Sequence, residues 1–543
     1  MTVIGEARPA TREISVGALL WVGLGALFVL VRLAGLLSIP VGGAELDALS
    51  GAWQAHAGHE DTRYIPTLFQ GLAAVSFSFT TSEVPARIIA LLASVSVPFA
   101  LYRLRPPFGE AATLAALLLL ALDPAAILFG STATASAFDV AVALWLLVLA
   151  NEDGVAPWLY GLAGFAAATC GGVVLPLVVG VAALRLVRQD YPERRALGWS
   201  AGGGLLGAFA ASVGFGFGWE GPTVSPIAAF GAGFDRPWSS EHTLHLAVLY
   251  SSPLILGALA AAGAQLYRGW RDDDWSTLEL PLYAWFGAAL LWLVASAGAA
   301  DPTPLAAVAL PAALIIGLEI PGLAAALQRV EWRYAAGVLA GMLLCLAVME
   351  AYVVDWARVN KSGSADDKLI VLGLGIAVIA CFGLLLSSRR TFGAVAVAPM
   401  FVGALILLSG ASGVAFGGPN EPMPSPVATS QGDEIRAIVK TAVREHGGQV
   451  VVHPSFESAM TWALRDTPGV AIATRIPTDA TAVVWPVTEA APEGYAVVEG
   501  QWSFTQARNG PDGGFLDYLR WLSNRNSLKN APAPLAVYLK AGQ

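Results

Sequence analysis

The chain alternates between long apolar runs and short polar interruptions, and the lengths of the runs set the first expectation. A helix needs roughly 17–25 apolar residues to cross a hydrocarbon layer of about 30 Å. By that measure the pattern predicts about thirteen spans. The first lies near 15–38, followed by runs near 84–104, 110–130, 134–151, 156–170, 172–188 and 197–218. Six more lie near 243–267, 279–299, 304–327, 334–355, 368–387 and 393–416. The runs 156–170 and 172–188 are short and meet at Cys170-Gly171-Gly172. A cleaved signal has an apolar core of roughly 7–15 residues, shorter than the first run, so the first run reads as a retained helix. Residues 39–83 form a first external loop in which 65–79 is apolar but short, as for a helix lying at the interface.

After residue 416 the pattern changes. Residues 417–429 are rich in Pro, Gly and Ser and read as a linker. Beyond them, Ile435, Ile438, Val439, Ala442 and Val443 recur at helical spacing. QVVVH, GVAIAT, TAVVWPV and YAVVEG read as strands, and SFESAMTWALRD as a second helix. The fold class expected is a polytopic α-helical membrane protein with a small extracytoplasmic α/β domain at 430–543.

Composition agrees. The chain is 56% hydrophobic and 13% charged, against about 25% charged in soluble domains. The net charge of −9 comes largely from loops and tail, and no basic run suggests nucleic acid. Cys170, Cys345 and Cys381 all fall in apolar runs and read as small buried hydrophobes. Arginines at 103, 105, 185, 188, 194, 195, 268, 271, 329, 333, 389 and 390 fall in alternate loops. The positive-inside rule then places the N-terminus in the cytoplasm and both the first loop and the C-terminal domain outside.

Chemistry concentrates in the first loop, which carries Glu45, Asp47, His56, His59, Glu60, Asp61 and Arg63. Ionisable groups beside a bilayer are costly unless they face water, a partner or a substrate. Glu45 and Asp47, two residues apart, cannot share a helical face. Either could be a general base or an anchor for an acceptor hydroxyl, or both could be solvated loop carboxylates. Arg87 could fork onto a lipid phosphate or snorkel to the interface. Asp123 before Pro124 is an intramembrane acid or the cap of a broken helix. Asp139 lies near a helix end. His242 and His245 read as ordinary loop histidines, since a metal site needs a fuller ligand set. Asp272 to Asp274 read as a solvated turn, and Asn360-Lys361-Ser362 is a sequon.

The order GGAELDALSGAWQAHAG, DTRYIPTLFQGL, SEVPARIIALLASVSVPFALYRLRPPFG resembles the C-type membrane glycosyltransferases (GT-C) of the protein-mannosyltransferase-like group. That family opens its first external loop with an Asp-Glu-Ala element, follows with His-Pro-Pro-Leu, and begins the next helix with an Arg. The matching places here hold Ala44-Glu45-Leu46, Tyr64-Ile65-Pro66-Thr67 and Arg87. LLLLALDPAAILFGSTATASAFDVAVALW, with Pro124 and Asp139, resembles the next two helices, and VALPAALIIGLE around Pro311 a later one. MTWALRDTPGV, Met460 to Val470, is similar to a Trp-Tyr-Leu-Arg-Asp element of archaeal-type, flippase-associated relatives, which FLDYLRWLSNRNS also fits. Two departures stand out. Ala44 occupies the place of the family's catalytic Asp, and the basic residue expected within 130–136 is missing.

The resemblance implies transfer of a sugar from a polyprenyl-phosphate-linked donor to an acceptor at the outer face, with inversion. Glu45 or Asp47 would be the base, Arg87 and Arg63 phosphate contacts, and Asp61, Asp123 and Asp139 further substrate contacts. No cofactor or metal ligand is assigned, and a divalent cation is left open. Two rivals stand beside this reading. One is a non-catalytic membrane subunit that binds a protein partner through 430–543, which the two departures favour. The other is a flippase or transporter for lipid-linked sugars, although no matched repeated halves are visible.

Overall fold

The computed structural model describes residues 15–39, 41–58, 67–152, 154–188, 194–217, 224–227, 246–272, 279–295, 303–328, 389–416, 431–477, 479–498, 500, 502–505 and 532–541. The expected spans 334–355 and 368–387 lie outside these residues, as do the linker, the sequon, His242, His245 and the C-terminal FLDYLRWLSNRNS stretch.

The membrane part is helical throughout. It begins with α1 (Val16–Ser38), α2 (Gly43–His56), α3 (Leu68–Ser76) and α4 (Val84–Arg103). Next come α5 (Arg105–Phe108), α6 (Glu110–Leu122), α7 (Pro124–Ser131) and α8 (Ala135–Asn151). These are followed by α9 (Pro157–Thr169), α10 (Val174–Arg188) and α11 (Arg194–Ser212). The last four are α12 (Ser252–Asp272), α13 (Glu279–Ala295), α14 (Thr303–Leu327) and α15 (Arg389–Phe416). Among the described residues three helices are long and apolar enough to cross a membrane, α1, α4 and the main part of α14. A fourth is added if α6 and α7 count as one bent span, and three further apolar helices are shorter. The fold is therefore polytopic and helical, and these helices do not by themselves establish thirteen spans.

Two sequence expectations are corrected here. The run 110–130, read as one span, is broken at Asp123-Pro124 and bent by 70°. Proline has no N–H to donate and its ring crowds the preceding turn, which kinks or breaks a helix, and here α6 ends. Asp123 takes extended backbone angles, as a residue before proline must, and its side chain accepts from the Ala126 amide to cap α7. The loop 39–83 is also more ordered than its polarity suggested. Leu46, Leu49 and Ala52 recur along one face of α2 and are buried against Phe69, Ala73 and Phe77 from α3 and just beyond it. Thr67 caps α3 through the Gln70 amide.

Among the described residues the C-terminal domain is a mixed sheet with two α-helices. Its elements are α16 (Gln431–His446), β1 (Gln449–Val452), α17 (Glu457–Ala463), β2 (Val470–Ile472) and β3 (Ala480–Pro486). Three further strands complete it, β4 (Tyr495–Val497), β5 (Trp502–Thr505) and β6 (Pro532–Lys540). The strand order is β2-β1-β3-β6-β4, with β5 also on β6. The pairs of β1 with β2 and β3 are parallel, and those of β6 are antiparallel. β3 is buried along its whole length, as a strand covered on both faces should be. Ile435, Val439, Met460 and Leu464 fill one face of the sheet, and Trp485 and Tyr538 lie on the other.

Candidate functional site

Helix α2 builds the site. Glu45, in its first turn, is 2% exposed. Its two carboxylate oxygens receive Nε and Nη2 of Arg87 from α4, both at 2.7 Å. Oε1 also receives the backbone amide of Ala133 at 2.7 Å, and the Arg87 Nη1 donates to the Leu36 carbonyl at 3.0 Å. This one bidentate pair ties α1, α2, α4 and the turn before α8. A fork of guanidinium donors on a carboxylate is among the strongest contacts a protein makes, and its geometry fixes both partners. Three donors leave Glu45 little capacity to accept a substrate proton.

Asp47 sits two residues on, about 200° around the helix at 3.6 residues per turn. It is half-buried and occupies a different face of α2 from Glu45. Among the described residues singled out from sequence, Glu45 and Arg87 meet directly. Asp61 and Arg63 lie outside the described residues. Asp139, buried at the start of α8, accepts from the Gly171 amide at 2.7 Å and holds the turn between α9 and α10. A side chain at Gly171 would collide with this carboxylate, so the position requires glycine.

Asp123 belongs to a different cluster, whose other member the sequence reading passed over. Arg32 of α1 is 1% exposed. Its Nε donates to Ser94 Oγ at 2.8 Å, Nη1 to the Phe28 carbonyl at 3.1 Å, and Nη2 to the Leu120 and Ala126 carbonyls at 3.0 and 3.2 Å. The guanidinium also stacks 3.3 Å from the Phe28 ring centroid. Arg32 therefore donates to the orphan Leu120 carbonyl at the end of α6 while Asp123 satisfies an orphan amide at the start of α7. Gly130 leaves room for it, since a Cβ there would come within 2.7 Å of Arg32 Nε. A lone arginine inside the apolar run 15–38 is the signal that could have found this cluster.

The C-terminal domain closes over α2 and α3. Trp53 Nε1 donates to the Arg465 carbonyl at 2.7 Å. The Arg465 guanidinium donates to the Thr81 carbonyl at 3.0 and 2.6 Å and to the Trp462 carbonyl at 2.8 Å, and lies 3.8 Å from the Trp462 ring centroid. Trp462 is buried in the same cluster as Leu46 and Phe77, with its ring 5.9 Å from that of Phe77. Burial pushes the Arg465 guanidinium down, with the neighbouring Arg436 adding to the effect, but an arginine remains charged. Asp466 turns back into its own domain. Partial burial works to raise its pKa, but hydrogen bonds from Arg436 and Lys440, each at 2.8 Å, outweigh it and hold the carboxyl well below the usual range. The element similar to Trp-Tyr-Leu-Arg-Asp is thus the contact between the domain and the first-loop helices. Among the described residues no group of three or more His, Cys, Asp or Glu could hold a metal ion.

No protein-family model matches the chain, and no curated protein does. Solved structures do. The crystal structure of ArnT from Cupriavidus metallidurans bound to undecaprenyl phosphate aligns over 96% of this chain and 97% of that one, at 13% identity and a TM-score of 0.51. The apo structure of the same protein aligns over 95% and 97%, at 15% identity and a TM-score of 0.50. ArnT is a GT-C glycosyltransferase, and the chain shares its fold from membrane helices through C-terminal domain.

Proposed function

We propose, from the GT-C fold, that the protein is a membrane glycosyltransferase moving a sugar from a polyprenyl-phosphate-linked donor to an acceptor at the outer face of the membrane. The observation that carries this reading is the end-to-end alignment with a structure bound to undecaprenyl phosphate. Asp47 is the base that removes the acceptor proton. It is half-buried and lies on the same helix as Glu45. The acceptor oxygen then attacks the anomeric carbon, the bond to the lipid phosphate breaks, and the phosphate leaves with the bond's electrons. Glu45 and Arg87 are positioning residues that fix the helix carrying Asp47. Arg63 is a contact for the departing phosphate, and Asp61 for the sugar. The N-terminus lies in the cytoplasm and the C-terminal domain outside, as the arginine distribution supports.

A non-catalytic reading is favoured by one specific pair of observations. Ala44 replaces the family's acid, and the adjacent Glu45 is consumed by Arg87 and the Ala133 amide. The test is transfer of labelled sugar from polyprenyl-phosphate donors by purified protein in lipid. Asp47→Asn should lower turnover by about 10²–10⁴, the usual contribution of a general base, with an unchanged fold. Wild type inert with every donor would overturn the enzyme reading and favour the partner-binding subunit.

A further inference from the structure

Helices α9 and α11 cross through small residues. A Cβ at Gly203 would collide with the Gly161 carbonyl, and one at Gly164 with the Ser200 carbonyl, so close packing accounts for both glycines. It does not account for Gly198 and Gly202. A Cβ at either meets nothing within 4 Å, although glycine inside a helix costs backbone entropy relative to alanine. These two glycines form the floor of an open groove of about 720 Å³. Trp158 and Trp199 flank one end, about half-exposed, and Leu162 and Leu206 continue the apolar wall. Arg195 lines the groove at the tryptophan end, with Arg194 beside it, both exposed. Among the described residues no carboxylate lines this groove.

We infer that this groove binds one anionic phospholipid, its phosphate on Arg195 between the two tryptophans and its acyl chains over Gly198 and Gly202. Charge complementarity selects the occupant. An apolar channel open to the bilayer takes any lipid, but a guanidinium at its mouth favours a headgroup with net negative charge, bound by a fork of N–H donors. Tryptophans at the same end place that mouth at headgroup depth, where amphipathic rings collect. The missing side chains at 198 and 202 leave room for the chains. Neither α9 nor α11 contributes to the Glu45–Arg87 pair, so this binding does not depend on the transferase reading.

Native mass spectrometry of the full chain, released from vesicles of phosphatidylglycerol and phosphatidylcholine in equal parts, tests it. Wild type should retain one phosphatidylglycerol in about tenfold preference to phosphatidylcholine, and Arg195→Ala should abolish that preference. Gly202→Leu, whose Cβ would meet nothing within 4 Å, should fill the groove and remove both lipids, and Gly198→Leu is the second variant should the first fold poorly. Equal retention of the two lipids by wild type, or an unchanged preference in Arg195→Ala, overturns the inference. So does a lipid-free dimer split by Gly202→Leu, which would make the groove a seat for a helix of a second copy.

Discussion

Among the described residues the membrane part buries two arginines, Arg32 and Arg87, and they are satisfied in opposite ways. Arg87 meets a carboxylate that takes two of its donors. Arg32 meets a hydroxyl, three backbone carbonyls and an aromatic face, with Asp123 acting on it only through space. The first is an exchange between two side chains. The second is a side chain repairing a break in the backbone, because α6 stops at Asp123-Pro124 and leaves carbonyls with no helical partner. In a low-dielectric interior each solution removes a heavy desolvation cost, but only the first can be deleted as a unit.

The largest expected effect follows from that difference. Arg87→Leu strands Glu45 with only the Ala133 amide, and breaking a buried pair from one side costs about 3–5 kcal/mol. Glu45→Leu combined with Arg87→Leu should recover most of the loss. Unfolding midpoints in lipid–detergent mixtures would measure both, and no recovery in the double variant would mean that the pair is more than a mutual neutralisation.

Arg32→Leu comes next. The orphaned Leu120 carbonyl alone costs about 1–3 kcal/mol, and no second substitution can rescue it, because that acceptor is backbone. The same unfolding measurement should show a loss that persists in Arg32→Leu with Asp123→Leu. Asp123→Ala alone should cost about 1 kcal/mol, the worth of a helix cap. A loss as large as that of Arg32→Leu would show that the charge of Asp123, and not its capping bond, is what Arg32 requires.

The smallest effect lies in the C-terminal domain, where Asp466 offers a solvated version of the Arg87 arrangement. Its folded pKa is depressed, so the stability it contributes is fully present above the unfolded value of about 3.9. That contribution is lost as pH falls from there through the folded value. Asp466→Asn should cost under about 1 kcal/mol at neutral pH, as solvent-screened pairs do. Hydrogen exchange of α16 and α17 in the full chain should differ between wild type and variant at pH 7 and converge only as pH falls through the depressed folded pKa. A difference that persists at low pH would point to packing and not charge.

How much of this was legible in the sequence depends on the range of the interaction. Run lengths placed α1, α4, α8 and α14 within a residue or two, and helical spacing placed α16, because those patterns are local. Asp123 as a cap was one of two open readings, since proline restricts its neighbours whatever lies elsewhere. The partner of Glu45 lies 42 residues away in another helix, and no spacing rule reaches it. Reading polarity as loop missed α2, whose buried face shows only against α3. Strand β6 escaped as well, for its prolines mask the alternation that marks a strand.

Trp53 and Arg465 meet across 412 residues of chain. During synthesis the first-loop helices are made well before the cover that Trp462 and Arg465 provide. Helices α2 and α3 must therefore wait with an apolar face open until the C-terminal domain folds. A chain stopped short of residue 462 would keep every preceding membrane helix and still lack the cover that Trp462 and Arg465 give α2 and α3.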